Sequence, residues 1–468
     1  MSQQKSRITQ TERGISHHLL LPIVAILAVG AIGAYLTFAS KAATPPLVRT
    51  TADFIDSLGV VTHPSEPPYS LRTADQLVGD VNYLGVKHVR ANPDPTPAMV
   101  TTLKRLQASG IKVDFTVASP NANPLEKYDE KTNEKLNFIR DNNLYSLTDF
   151  VENFNELDST GEGNYPDTFQ DILKVSVPYL WNQSSDLRAK NIKVLAPSLV
   201  AHLLDTDAAK LGKNISNTHF DYGNVHQYFD GSKPESAFPD ALPNTANFNI
   251  NPGTVESSNM DSRLKYYAYY VSKNKPMLIT EFQYTPRWQK AQYYRMNSIY
   301  MPRGLLETFR IGITRTYMYQ LYDDQLVLKG GGFGVMGDNT TGFERKPVAN
   351  AVHNLTTLLG GGASGFSATN PQLAFTGDTS NLKSVILQKN AKEHWIALWR
   401  NVSAFNTVTG QGITVNPTNV TVTWQTDRTA TFYSGLKDGP SPVQQSKGTV
   451  RATTVPVGAE VVLLKLNS

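Results

Sequence analysis

Two glutamates stand where paired carboxylate chemistry could be done. Glu156 follows Asn155 in Phe154-Asn155-Glu156, and Glu281 closes Leu278-Ile279-Thr280-Glu281-Phe282. Each ends a run rich in β-branched and aromatic residues, so each is expected at a strand end with a polar companion. Two carboxylates facing each other across a cleft suit cleavage of a glycosidic bond: one protonates the leaving oxygen, the other attacks or stabilises the anomeric carbon. Salt-bridged rim residues of the same type are common, and among 40 acidic residues the pair alone decides nothing. His63, Asn92 and Asn121 lie at or just past the ends of similar runs, as hydroxyl ligands or as loop caps.

These side chains need a frame that brings distant strand ends together. Eight β-rich runs end near His63, Arg90, Val117, Asn155, Ser198, His226, Glu281 and Tyr319, and helical spacing separates them. Leu77, Val81 and Leu84 follow the cap candidates Ser70 and Thr73, while Met99, Leu103 and Leu106 precede a closing Gly110. Eight strands with crossover helices predict an α/β fold, a (β/α)8 TIM barrel over residues 44–362, with the chemistry on loops at the carboxyl ends of the strands. From Gly360 the glycine-rich Gly-Gly-Gly-Ala-Ser-Gly reads as a linker, since it does not follow a strand and open a helix as a phosphate loop does. Short strands around Val385, Ile396, Val422 and Val462 then predict a C-terminal all-β domain, a β-sandwich over residues 363–468. Its Trp395, Trp399 and Trp424 could pack that domain's core or form a sugar platform.

An Asn-Glu pair ending the fourth barrel strand, His226-Gln227-Tyr228 ending the sixth and Thr280-Glu281-Phe282 ending the seventh resemble the retaining glycoside hydrolases of clan A. Arg90 at the end of the second strand adds to the resemblance, as do Tyr319-Gln320-Leu321-Tyr322-Asp323, Phe333-Gly334-Val335-Met336 and Lys346-Pro347. The pattern covers about residues 53–360 and is nearest to cellulase-like members of family 5 and to family 39 enzymes with a barrel and a β-sandwich. The resemblance implies that Glu156 is the general acid/base, kept protonated by burial and by the second carboxylate. It implies that Glu281 is the nucleophile, held ionised by Arg90 and Tyr228, and that Asn155 binds the sugar 2-hydroxyl. His226 would sit beside the acid/base and help set its protonation, or be an ordinary core histidine. The implied reaction is hydrolysis of O-glycosidic bonds in a β-linked oligo- or polysaccharide, with no cofactor and no metal.

Two positions depart from that pattern. Leu157 stands where a proline often follows the acid/base, and Tyr319 with Gln320 stands where a tryptophan commonly ends the last strand. A stacking surface for the sugar would then come from Tyr319, Tyr322, Tyr284 or Trp288.

Composition narrows the remaining classes. Residues 1–50 hold five basic side chains and one acid, which accounts for the whole formal charge of +4 and leaves the body balanced, so no nucleic-acid partner is expected. With no cysteine, disulfides, thiolate metal sites and a cysteine nucleophile are excluded. Residues 19–39 are 21 consecutive uncharged residues preceded by three basic ones, which predicts an N-terminal transmembrane signal-anchor with a cytoplasmic tip within residues 1–43. The body is then expected outside the cell membrane as a monomer, or secreted if Ser40-Lys41-Ala42 is a cleavage site. Two other classes stay open: a non-catalytic carbohydrate-binding or structural barrel at the cell surface, and a scaffold barrel whose β-domain is the functional module.

Overall fold

The computed structural model describes residues 48–118, 127–156, 165–199, 218–229, 231–236, 275–324 and 332–468. The apolar segment 19–39, Asn121 and Leu157 lie outside the described residues. Among the described residues no helix is long and apolar enough to cross a membrane.

The β-rich runs form a parallel barrel. Its strands are β2 (Leu58–Val61), β3 (His88–Ala91), β4 (Lys112–Ala118), β5 (Thr148–Phe154), β6 (Lys193–Leu195), β7 (Gly223–Phe229), β8 (Met277–Tyr284) and β9 (Arg315–Met318). They pair in the order β6-β5-β4-β3-β2-β9-β8-β7. A parallel bridge between Leu195 and Tyr222 closes the ring between β6 and β7. Each predicted strand end falls in or just beyond one of these strands, because alternation of side chains and turn residues marks them in the sequence.

The crossover helices form where caps and apolar spacing agree. Helix α2 (Ala74–Leu84) starts at a capping box in which Thr73 and Gln76 exchange side-chain and backbone bonds, and it ends at Gly85 in the left-handed conformation, φ 69°. Helix α3 (Pro97–Ala108) is capped by Thr96 with Pro97 in its first turn, and it buries Met99, Leu103 and Leu106. Ser70, the other cap candidate, lies in a short 3-10 turn instead. The preceding short helix is α1 (Thr51–Asp56), and the remaining crossover helices are α4 (Tyr128–Asp141), α5 (Tyr165–Gln183) with the short α6 (Ser185–Ala189), α7 (Lys290–Ile311) and α8 (Pro347–Leu359).

Alternation along the strands divides the barrel wall in two. Val113, Phe115 and Val117 of β4 join the helices in the main apolar core, whereas Val61, Phe150, Leu195, Leu278 and Tyr317 make a smaller cluster of their own. Gly59 makes room for one of these rings, since a Cβ there would lie 2.4 Å from Tyr317. Ionisable residues are buried as well: His88 and Arg90 of β3, Asp114 of β4 and Glu152 of β5.

A second, all-β region follows α8. Its sheet runs β1 (Val48–Thr50), β11, β12, β17, β15, β10 in order, with β16 (Val443–Val457) also paired to β15. Here β10 is Ala374–Gly377, β11 Leu382–Asn390, β12 Glu393–Arg400, β15 Thr418–Ser434 and β17 Val462–Asn467; a hairpin of β13 (Phe405–Asn406) and β14 (Gln411–Gly412) stands apart. Strand β15 pairs with β10 through its first half and with β17 through its second, with a register shift between Thr423 and Arg428. The core residues Ile396, Leu398, Val422, Trp424, Phe432 and Leu464 come from both halves. Strand β1 (Val48–Thr50) comes from before the barrel, yet it adds to this sheet by parallel pairing with β11.

The described residues within Leu47–Ser468 form one compact unit, fastened by a buried ion pair. Arg303 of α7 donates from Nε to Glu235 Oε1 at 2.7 Å, and the same oxygen accepts from Trp399 Nε1 at 2.7 Å. Trp395 packs on Tyr433, and Trp424 Nε1 donates to the Val450 carbonyl at 2.9 Å. All three tryptophans are buried, which removes them as an exposed sugar platform.

Candidate active site

Six of the barrel strands, β2, β3, β5, β7, β8 and β9, deliver side chains to one cluster at or just past their carboxyl ends. Glu281 arrives on β8 through a bulge: Val225 pairs with Ile279 and His226 with Glu281, so Thr280 is the extra residue. A bulge re-aims the side chains that follow it. Glu156 follows β5 with its backbone in the left-handed region, φ 49°. That conformation costs a non-glycine residue free energy and occurs preferentially at functional sites. The backbone is held there by a bond from the Glu156 N–H to the Ser198 carbonyl at 3.0 Å.

Arg90 organises one side of the cluster. Its guanidinium forks onto Glu152, with Nε and Nη2 each 2.8 Å from a carboxylate oxygen. Nη1 donates to Glu281 Oε1 at 2.7 Å, and Nη2 also donates to Asn155 Oδ1 at 2.6 Å. Burial opposes the charge on Arg90, but Glu152 and Glu281 outweigh it and hold its pKa well above the ordinary value. The other oxygen of Glu281 accepts from the Tyr228 hydroxyl. Burial and the Glu281 charge push that phenol well up, so it stays a donor. Glu281 is therefore held by two close donors, one of them cationic, and His226 Nδ1 lies 3.4 Å from its Oε2.

Glu156 meets a different partner. His226 Nδ1 lies 2.5 Å from Glu156 Oε1, and its Nε2 lies 3.0 Å from Thr280 Oγ1. The Thr280 hydroxyl gives its proton to Asn224 Oδ1 at 2.7 Å, so its oxygen accepts from Nε2–H. One proton is then shared between Nδ1 and Glu156. Burial disfavours the imidazolium, yet Glu281 and Glu156 together raise the His226 pKa. The His226 nitrogen and one oxygen each from Glu156 and Glu281 all lie within 4.8 Å of one another. A cation placed among them would compete with Arg90 for Oε1 of Glu281 and with Tyr228 for Oε2.

A cavity of about 180 Å³ opens beside Glu281, lined by Arg90, Asn155, His63, Asn92 and Tyr319 among others. Both ring nitrogens of His63 are buried without a partner. Burial, helped by Arg90, pushes its pKa down to about 4, so the ring is neutral and offers one donor and one acceptor. Tyr319 packs edge-on against His63, Tyr228 and Phe333. Phe333 is held by a buried lock in which Asp323 Oδ1 accepts from Gly334 N–H at 2.9 Å and from Lys346 Nζ at 2.6 Å. A Cβ on Gly334 would lie 2.2 Å from the Asp323 nitrogen, which explains the glycine of Phe333-Gly334-Val335-Met336.

The structure thus brings together Glu156, Glu281, Arg90, Asn155, His226, Tyr228, Tyr319 and His63. Trp288 is elsewhere, against Phe405 of β13, where a Cβ on Gly410 would lie 2.4 Å from its ring. Tyr284 is buried, stacked on Phe229, and Tyr322 is buried with its hydroxyl donating to Asp80 at 2.5 Å. The sequence assigns no role to Glu152, Thr280, Asn224 or Phe333, although Thr280 and Phe333 stand in the motifs quoted above. Glu152 carries a signal, a lone acid inside the run Asp149-Phe150-Val151-Glu152-Asn153-Phe154, where a buried charge needs a partner.

No protein-family model and no curated protein matches the chain. Solved structures do. A GH39 enzyme from Xanthomonas axonopodis pv. citri matches with a TM-score of 0.55 at 15% identity, over 92% of this chain and 99% of that one. A glucosidase from Croceicoccus marinus gives 0.57 at 11% identity, over 88% and 95%. A monomeric β-xylosidase from Caulobacter crescentus CB15 gives 0.55 at 14%, over 91% and 97%. At such identities the likeness is one of fold, and the fold is a (β/α)8 barrel with an all-β partner.

Proposed function

We propose that this chain is a retaining glycoside hydrolase that cleaves O-glycosidic bonds of a β-linked glycan through a covalent intermediate on Glu281. The observation that carries the reading is the closeness of two differently held carboxylates, with oxygens of Glu156 and Glu281 within 4.8 Å of each other. Retaining enzymes separate their carboxyl groups by about 5–5.5 Å, whereas inverting ones need roughly 6.5–9.5 Å to admit water. Three proteins of the same fold, described as a GH39 enzyme, a glucosidase and a β-xylosidase, support the substrate class.

Glu281, held by Arg90 and Tyr228, attacks the anomeric carbon as a carboxylate. Glu156 passes the proton it shares with His226 to the leaving oxygen, and in the second step takes one from the incoming water. Asn155 spends its Oδ1 on Arg90, which leaves its amide hydrogens for the sugar 2-hydroxyl. We place the body outside the cell membrane, anchored by residues 19–39, on the strength of that segment's 21 uncharged residues and the basic side chains before it.

The test is trapping. Aryl 2-deoxy-2-fluoro-β-xyloside and β-glucoside should add one glycosyl mass to the peptide that contains Glu281, and Glu281→Gln should take up none. A label on Glu156, or full turnover by Glu281→Gln, overturns the reading.

A further inference from the structure

The cavity beside Glu281 does not end at one sugar. A second cavity of about 300 Å³ adjoins it, and the two share His63 and Asn92 as walls. Its other walls include Ser65 and Glu66 after β2, Asp94 after β3, and Glu134 and Lys135 of α4. Three observations bear on what it holds.

The first is unmet hydrogen bonding at the junction. Both ring nitrogens of His63 and the hydroxyl of Ser65 are buried with no partner. Buried polar groups are normally paired, and three orphaned atoms lining one passage call for a ligand rich in hydroxyls. The second is direction. The leaving group must lie on the side of Glu156, which follows β5 and contacts His226 of β7. The second cavity lies over the loops after β2 and β3, across the ring of strands from β6 and β7. It therefore continues the glycone side. The third is charge: the walls carry three carboxylates, Glu66, Asp94 and Glu134, against one ammonium, Lys135, a balance that a sugar carboxylate would meet as net repulsion.

We infer that the second cavity is a subsite for an uncharged second sugar, so that the preferred glycone is a neutral β-linked disaccharide unit rather than a single residue. The inference rests on the glycosidase reading above. It assigns His63 to both units, donating to one hydroxyl and accepting from another, and Ser65 to the distal unit.

The experiment compares kcat/KM for 4-nitrophenyl β-xylobioside and β-cellobioside with that for the corresponding monosaccharide glycosides. The disaccharide of the accepted sugar should be favoured at least about tenfold, and Ser65→Trp, which fills the second cavity, should abolish that ratio. A disaccharide whose distal ring is glucuronic acid should show no such gain. Cleavage without preference for the disaccharide, or a ratio unchanged in Ser65→Trp, overturns the subsite. An equal gain with the uronic acid overturns its charge selectivity. Calorimetry with the free disaccharides and monosaccharides separates this from the parent reading. Tighter disaccharide binding that is lost in Ser65→Trp, in a protein that cleaves none of these glycosides, supports the subsite and removes the catalytic role.

Discussion

His226 Nδ1 and Glu156 Oε1 approach to 2.5 Å, and the far nitrogen of the same imidazole is committed to Thr280. The pair consequently shares one mobile proton, which in the proposed mechanism passes to the leaving group. Glu281 is held mainly by other groups, a guanidinium at 2.7 Å and a phenol that stays protonated, with His226 Nδ1 farther off at 3.4 Å. One carboxylate is thus wired to a proton store and the other to fixed donors, which is what divided acid and nucleophile roles require.

His226→Asn breaks the store. The raised His226 pKa means that the imidazolium is stabilised in the folded protein, an effect present at low pH and lost as pH rises through the folded pKa. The alkaline limb of the kcat/KM profile should therefore move to lower pH in His226→Asn, with a loss of about 10²-fold at the optimum. A profile that only scales down, with its alkaline limb unmoved, would show that His226 plays a packing role.

Arg90→Met leaves Glu152 buried and uncompensated beside Glu281. Loss of one partner from a buried pair costs about 3–5 kcal/mol. Chemical denaturation should show that loss, and Arg90→Met/Glu152→Met should recover part of it, since the stranded charge is then removed. Additive losses in the double variant would refute the coupling.

His63 is neutral because burial and Arg90 push its pKa down to about 4. Between pH 6.5 and 4 the unfolded chain binds a proton that the folded chain refuses. Relative to His63→Asn, the unmodified protein should then lose about 1.4 kcal/mol of stability per pH unit on acidification across that window. Parallel stability curves for the two proteins would place the His63 ring in solvent.

Inside the junction of barrel and β-region, Glu235→Ala leaves Arg303 buried without its carboxylate, with the Val402 and Ala459 carbonyls as acceptors, and the Trp399 indole without its acceptor. The expected loss is about 3–5 kcal/mol, with unfolding still a single transition in calorimetry. Two separate transitions in the unmodified protein would contradict a fixed junction.

Much of this arrangement was legible in the sequence, and the exceptions have physical reasons. The strand ends could be read because alternating patterns and turn residues are local, and Asn155-Glu156, His226 and Glu281 fell on them. Glu152 could not be assigned a role, because its partner Arg90 lies on another strand and no local pattern links the two. Trp288 was misplaced because an exposed aromatic on a barrel loop is indistinguishable in sequence from one covered by the hairpin at Gly410. The pairing of β1 with β11 was invisible for the same reason, since three residues carry no mark of a partner so distant in the chain.

Displacement by Glu281, with Glu156 as acid and then base, fixes the anomeric configuration of the first product. Proton NMR during hydrolysis of an aryl β-glycoside that the protein accepts should show the β-anomer first, followed by slow mutarotation to the α-anomer. An α-anomer formed first would mean that water attacks the sugar directly, and the double-displacement account would be wrong.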